Sequence, residues 1–216
     1  MHNTNKELIV SLDELGVLRD TRIKSALCAV DRRDFVLDEF RDEAYRDDAL
    51  PILSGQTISQ PRTVVFMLEL LGTKEGECVV DIGFGSGWQS ALLAHMVGAL
   101  GIVYAVELIP ALCEFGKANV AKYPDLYRRV RFHCGDALEG FGEIEIGDHV
   151  DRIIVAADIS EIPVRWRAVL RNGGVLVYPS NGVIRREHKH SEEELDIQEY
   201  PGFAFVPFVA TAHNYR

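Results

Sequence analysis

The 216-residue sequence is short of cysteine, of positive charge and of any long unbroken apolar run, and each shortage removes a class of protein. Its four cysteines, Cys28, Cys78, Cys113 and Cys134, show no C-x-x-C spacing. Neither a zinc site nor a disulfide framework is therefore expected, and no metal is assigned. Lysine and arginine number 23 against 33 acidic residues, a net charge of −10 that opposes binding to nucleic acid. The densest basic stretch, Arg185-Arg186-Glu187-His188-Lys189-His190, runs straight into Ser191-Glu192-Glu193-Glu194 and reads as a solvated loop or hairpin. The most apolar stretch, Ala91 to Val106, is broken by His95, Gly98 and Gly101 and is shorter than the roughly 20 residues of a membrane span. It reads instead as a buried helix, a glycine turn and a buried strand. The opening residues carry no apolar signal region, so a cytoplasmic protein without a membrane partner is expected. There is no internal repeat or low-complexity segment, and the length suits one domain.

What is present is an alternation of helix and strand patterns. Leu8, Ile9, Leu12 and Leu15 fall on one helical face, and Ile23, Ala26, Leu27 and Val30 form a second apolar set. Residues 50–61 favour no regular structure and carry several hydroxyls and amides, which suits a functional loop. A helix from about Arg62 to Leu71 follows, with Val64, Val65, Leu68 and Leu71 inward. Strand 78–82, helix 88–97, strand 102–106, helix 110–122, strands 129–134 and 151–156, helix 162–170 and strand 174–178 then give the rhythm of a doubly wound parallel sheet. Pro110 and Pro163 suit the first turns of their helices, and Gly173-Gly174 is read as the end of the last one. Val183-Ile184 and Phe203 to Val209 are read as an antiparallel strand pair at the sheet edge. The fold class is thus α/β, a Rossmann-like, doubly wound, mostly parallel sheet. Residues 1–72 give a helical N-terminal cover and acceptor loop, 73–180 the core, and 181–216 a C-terminal hairpin and tail.

The run Val79-Val80-Asp81-Ile82-Gly83-Phe84-Gly85-Ser86-Gly87 ends a β-prone strand in an acid and three alternate glycines. Absent side chains at such a turn let a ligand approach the backbone. A dinucleotide fingerprint would need glycine at 88, where Trp88 stands. The remaining D-x-G-x-G-x-G is the arrangement of S-adenosylmethionine (AdoMet)-dependent methyltransferases, with a chance glycine turn as the alternative. Asp81, Gly83, Gly85, Ser86 and Gly87 are then cofactor residues. Glu107, with Leu108 beside it, ends the next strand about 20 residues on and suits the two ribose hydroxyls; a surface glutamate is its other reading. Asp136 ends the third strand, where its carboxylate can take the exocyclic amine of adenine while the Ala137 N–H serves a ring nitrogen. A Gly-Asp turn is the structural reading of that pair.

With those residues in place, the sequence resembles the protein-L-isoaspartate (D-aspartate) O-methyltransferases from about Ala29 to Val209. The most specific match lies ahead of the glycine turn, in Ala49-Leu50-Pro51-Ile52 and Gly55-Gln56-Thr57-Ile58-Ser59-Gln60-Pro61, against the family's A-L-P-I…G-Q-T-I-S-Q-P. Asp151 to Ala157, Glu161-Ile162-Pro163 and Phe205-Val206-Pro207-Phe208-Val209 are similar to later family segments. The resemblance implies methyl transfer from AdoMet, leaving S-adenosyl-L-homocysteine, to the free carboxylate of L-isoaspartyl or D-aspartyl residues in damaged proteins and peptides. The ester then collapses to a succinimide. It implies Ser59 as the catalytic residue, Thr57 and Ile58 at the cofactor, and Ala156, Ala157, Val206 and Pro207 as walls of the acceptor groove. Capping of the helix that begins near Pro61 is the other role open to Ser59. A carboxylate acceptor with pKa near 4 is ionised at neutral pH, so no strong general base is needed.

The sequence departs from the family at Phe84 and Trp88 in the glycine turn, and at Arg62 after Gln60-Pro61. Ala157-Asp158-Ile159-Ser160 stands in place of A-A-A-P, which sets an acid near the expected acceptor loop. A carboxyl methyltransferase for another peptide or small acid, or an AdoMet-binding module without turnover, are the competing functions. The chain is expected to act as a monomer.

Overall fold

A computed structural model describes residues 3–139, 141 and 150–211; of the C-terminal tail, residues 212–216 lie outside it. Two short helices come first, α1 (Asn5–Glu14) and α2 (Thr21–Ala29), with Thr4 and Asp20 accepting the backbone N–H groups of Glu7 and Arg22 as N-caps. They bury the expected apolar faces except at Leu15, which is 54% exposed because α1 stops at Glu14 and Gly16, at φ +71°, turns the chain away. The 50–61 stretch, read as irregular, holds a small antiparallel hairpin of β1 (Leu50–Pro51) and β2 (Thr57–Ile58). Strands of two residues leave no alternation for a sequence to display. Helix α3 (Pro61–Leu71) follows, with Val64, Val65, Leu68 and Leu71 buried as expected.

The core alternates β3 (Cys78–Ile82), α4 (Trp88–Met96), β4 (Ile102–Glu107), α5 (Pro110–Val120), the single turn α6 (Pro124–Tyr127) and β5 (Val130–Cys134). It continues through β6 (Val150–Val155), α7 (Val164–Val169), β7 (Leu170–Ser180), β8 (Val183–Lys189) and β9 (Leu195–Pro201). Among the described residues the large sheet has the order β5-β4-β3-β6-β7-β8-β9, parallel through β7 and antiparallel beyond. The chain enters at central β3, winds out to β5, then returns to β6 on the other side of β3. The carboxyl ends of β3, β4 and β6 therefore border the switch point, where open α/β sheets bind ligands.

Alternation along the strands splits the interior into two cores. Val79, Val175 and Val177 face the α1–α5 layer, and Val80, Ile82, Leu176 and Tyr178 face Trp166 of α7. Helix α4 is buried almost all round, against α2, α5 and the sheet. This accounts for the apolar 91–106 stretch without a membrane, and no described helix is long and apolar enough to cross one.

Four expectations change. Helix α7 is shorter than 162–170, and Gly173-Gly174 lies inside β7, near where its pairing with β6 shifts register between Val150 and Arg152. The edge partner of β8 is β9, whereas 203–209 is no strand, its β-bridge among the described residues being Asp158–Pro207. Of the two forms read for the basic stretch, the hairpin stands and the solvated loop does not, since it makes up most of β8 and pairs antiparallel with β9. Glu187 there is buried, accepting Arg167 Nε and Nη2 and the Tyr178 hydroxyl at 2.7 Å each, while Lys189 donates to the Arg167 and Leu170 carbonyls. Finally, Cys113 and Cys134 form a disulfide. They stand 21 residues apart and meet only because α5 crosses from β4 to β5, which spacing alone does not reveal.

Candidate active site

The glycine turn follows β3. Gly83, Gly85 and Gly87 all have positive φ, at 80°, 48° and 84°, where other residues are strained. Only the first two line a cavity at the carboxyl ends of β3 and β4, together with Ser86, Glu107, Leu108 and Ala137. Gly87 serves packing instead: a Cβ there would meet Gly116 O of α5 at 2.7 Å. Asp81 is also behind the cavity wall, fully buried, with Gln89 Nε2 at 2.7 Å and Ser90 Oγ at 2.5 Å on its two carboxylate oxygens. Burial pushes its carboxyl up to about 6, against the lowering pull of the Ser90 and Gln89 bonds. Asp81 thus ties the end of β3 to the start of α4 and acts on the turn from behind.

Glu107 faces the cavity while only 6% exposed. Gly85 N donates to its Oε2 at 3.0 Å and Ile109 N to its Oε1 at 2.9 Å. Burial raises its pKa, and the backbone N–H groups of Ile109, Gly85 and Leu108 resist that rise. A carboxylate has about four acceptor sites, so acceptors remain for a pair of hydroxyls. Asp136 sits between two lining residues, Gly135 and Ala137, and is not itself part of the wall. A buried acid with spare acceptors and a side-chain-free turn suit an adenosyl cofactor. A side chain at Gly83 or Gly85 would instead project towards Ala156 or Ile52, at 3.8 and 3.5 Å.

On the other side stands the hairpin loop. Its anchor is Arg32, a residue with no sequence signal because it lies in the charged run Arg32-Arg33-Asp34. Arg32 is completely buried, and its guanidinium donates to the carbonyls of Ala44 (2.5 Å), Arg46 (3.4 Å), Asp48 (3.0 Å) and Ser59 (3.1 Å). It also lies 5.4 Å from the centre of the Trp88 ring, a cation–π distance. Burial lowers its pKa, the charges of Asp47 and Asp48 oppose this, and a guanidinium stays protonated at neutral pH. One buried cation therefore joins the Ser59 loop to the helix behind the glycine turn.

Ser59 does not cap α3. The N-cap is Gln60, without a side-chain cap bond, and the Arg62 N–H is taken by Asp47 Oδ1 at 2.8 Å. Ser59 instead lines both the cofactor cavity and a second groove that adjoins it, as do Thr57, Ala156, Val206 and Pro207. Ile58 and Ala157 line the first cavity alone. The second groove is floored by Phe66 and Phe203, stacked 5.2 Å apart, and bordered by Arg62 and Thr63. Asp158 lies on neither wall: Asn181 N donates to its Oδ1 at 3.1 Å, in the β7–β8 turn where Asn181 has φ +53°. Its backbone meanwhile docks the 206–208 segment through Asp158 N to Val206 O and Phe208 N to Asp158 O, both 2.8 Å. The acid that departs from the sequence pattern is a turn clasp outside the groove.

Comparison with known proteins bears on the chain as a whole. The sequence model of the family described as protein-L-isoaspartate(D-aspartate) O-methyltransferase (PCMT) matches residues 3–213. The chain is 35% identical over 208 residues to a protein-L-isoaspartate O-methyltransferase of Methanopyrus kandleri, covering 94% of this chain and 90% of that one. A solved protein-L-isoaspartate O-methyltransferase superposes with TM-score 0.85 at 26% identity, covering 95% of this chain and 66% of that one. A Plasmodium falciparum chain assigned to the same enzyme class, crystallised with S-adenosyl-L-homocysteine, superposes with TM-score 0.83 at 23% identity, covering 95% and 98%. The last likeness speaks for the fold.

Proposed function

The chain belongs to the protein-L-isoaspartate(D-aspartate) O-methyltransferase family, and from that premise we propose that Ser59 marks the point where acceptor and cofactor meet. The enzyme methylates the free carboxylate of isoaspartyl residues in proteins and peptides, with S-adenosylmethionine as donor. When bound, that cofactor supplies an electrophilic methyl group on a sulfonium. The observation that carries the site assignment is the shared lining: Ser59 borders both the cofactor cavity and the adjoining groove.

In this reading Glu107 holds the ribose hydroxyls, Gly83, Gly85 and Ser86 give the close backbone wall, and Gly135, Ala137 and Leu108 border the base. Asp136 serves the adenine amine from the edge of the cavity. Thr57, Ala156, Val206 and Pro207 shape the passage between the two spaces. An acceptor carboxylate arrives as an anion, so the protein needs no base, and alignment is the main task. The Ser59 hydroxyl can donate a hydrogen bond that orients the nucleophilic oxygen, while Arg32 pins the Ser59 carbonyl. Asp158, turned to Asn181, leaves the groove free of its charge. The excess of acidic residues argues against a nucleic-acid acceptor. We extend the reading to a monomer and to a cytoplasmic enzyme.

The test is transfer of labelled methyl from AdoMet to an isoaspartyl peptide beside its normal aspartyl twin. Base-labile label is expected on the first alone. Equal labelling of the two, or none while S-adenosyl-L-homocysteine still binds, would overturn the acceptor assignment.

A further inference from the structure

Asp136 is not held by its own strand end alone. Leu138 N donates to its Oδ1 at 2.8 Å, and Thr211 gives Oδ2 two bonds, from its backbone N–H at 2.8 Å and its hydroxyl at 2.6 Å. Thr211 lies 75 residues further along the chain, just after the segment whose Val206, Pro207, Phe208 and Val209 wall the cofactor cavity. That segment is moored again at Phe208, whose ring meets Trp166 edge-on at 6.0 Å, and Trp166 Nε1 donates to Ala137 O at 3.0 Å. At this end of the cavity Ala137 and Phe208 line the wall, with Asp136, Trp166 and Thr211 bonded or packed behind them.

A carboxylate offers about four acceptor sites. Three are taken on Asp136, which leaves one, on Oδ1. Burial alone would raise the pKa of this 6%-exposed group, but the Thr211 hydroxyl, the Leu138 and Thr211 N–H groups and the charge of Arg165 outweigh it and hold it below the ordinary value. Asp136 is therefore an anion at neutral pH and can only accept.

We propose that Thr211 is a positioning residue for the cofactor, orienting Asp136 so that its remaining acceptor site meets the exocyclic amine of adenine. The inference rests on the assignment of Asp136 to the adenine end made above. Its partner chemistry is defined: an amine donor on the base is favoured, and a carbonyl oxygen at the same place is rejected.

The experiment measures binding of S-adenosyl-L-homocysteine and of its inosine analogue, in which that amine is a carbonyl oxygen and the adjacent ring nitrogen carries a proton, to the full chain and to Thr211→Val and Thr211→Ser. The parent protein is expected to prefer the adenine ligand by at least about tenfold, the scale of one hydrogen bond to a charged group. Thr211→Val, which loses the hydroxyl donor, should bind the adenine ligand about tenfold more weakly with little change for the analogue. Thr211→Ser, which keeps both donors, should retain the parental preference. A parental preference in Thr211→Val overturns the inference, as does a Thr211→Ser variant that behaves like it, since the lost group would then be a packing methyl. If the parent binds both ligands equally, the Asp136 assignment and this inference fall while the cavity assignment stands. If the parent binds neither, the cavity assignment itself falls.

Discussion

On the cofactor side of the cleft Glu107, the glycine turn and Asp136 stand at the carboxyl ends of parallel strands, whereas the acceptor side is gathered chiefly from segments outside the large sheet. Glu107 ends β4, the glycine turn follows β3, and Asp136 lies two residues past β5. Their spacing is set by ladder hydrogen bonds, and the Cys113–Cys134 disulfide ties α5 to the end of β5 as well. The acceptor side joins a two-residue hairpin, the turn after β6 and the 202–209 segment. There the principal fastening is one buried guanidinium, Arg32, bonded to four loop carbonyls. The difference teaches that a cofactor site can be positioned by the sheet itself, while a site for a bulky acceptor needs separate fastening.

The comparison breaks most sharply at Arg32. Arg32→Met removes the donors of four carbonyls around the Ser59 loop and is expected to cost at least about 3 kcal/mol in urea unfolding, the range for a broken buried polar network. In the folded fraction, turnover should fall far more than affinity for S-adenosyl-L-homocysteine measured by calorimetry. Equal loss of both would show that the two sides are not separately fastened.

The disulfide gives the opposite case. Cys113→Ser is expected to lower stability by about 3 kcal/mol, the chain-entropy value for a loop of this length. Its effect should appear in cofactor affinity before the acceptor KM. A variant with parental stability would place the fastening of that side in the ladder alone.

The finest division lies between Ser59 and Glu107. Ser59→Ala should lower kcat by about 10- to 100-fold with cofactor affinity preserved, as expected when one positioning bond at the reacting group is lost. Glu107→Gln should weaken cofactor binding by about tenfold and leave the acceptor KM in place. Steady-state kinetics with calorimetry separates these outcomes, and unchanged turnover in Ser59→Ala would remove that residue from the reaction.

Legibility in the sequence follows the same division. The β3–α4–β4–α5–β5 unit is readable because its signals are local: an apolar run, an acid, glycines and a proline at the start of α5. Glu107 was readable for the same reason, since a strand end is a fixed distance from its own hydrophobic pattern. Asp81 and Gly87 carried the motif but do not reach the cavity, because a motif preserves packing residues together with ligand residues. Arg32 and Thr211 were silent. Their partners lie 12 to 27 and 75 residues away, and neither carries a periodic or motif signal. The 203–209 segment is β-prone in composition yet forms no strand, because β9 takes the free edge of β8.

By itself the sequence determined the parallel core, the glycine turn, the acid at the end of β4 and, through its resemblance, the class of reaction, the first three of which depend on neighbours within one strand-turn-helix unit. Tertiary structure alone decided that Ser59 borders two spaces instead of capping a helix, that Asp158 clasps a turn instead of charging the groove, and that Cys113 finds Cys134. Each of those outcomes turns on which of several chemically suitable partners is close in space. A side chain's hydrogen-bonding capacity is written in its type, but its partner is chosen only when the chain crosses back upon itself.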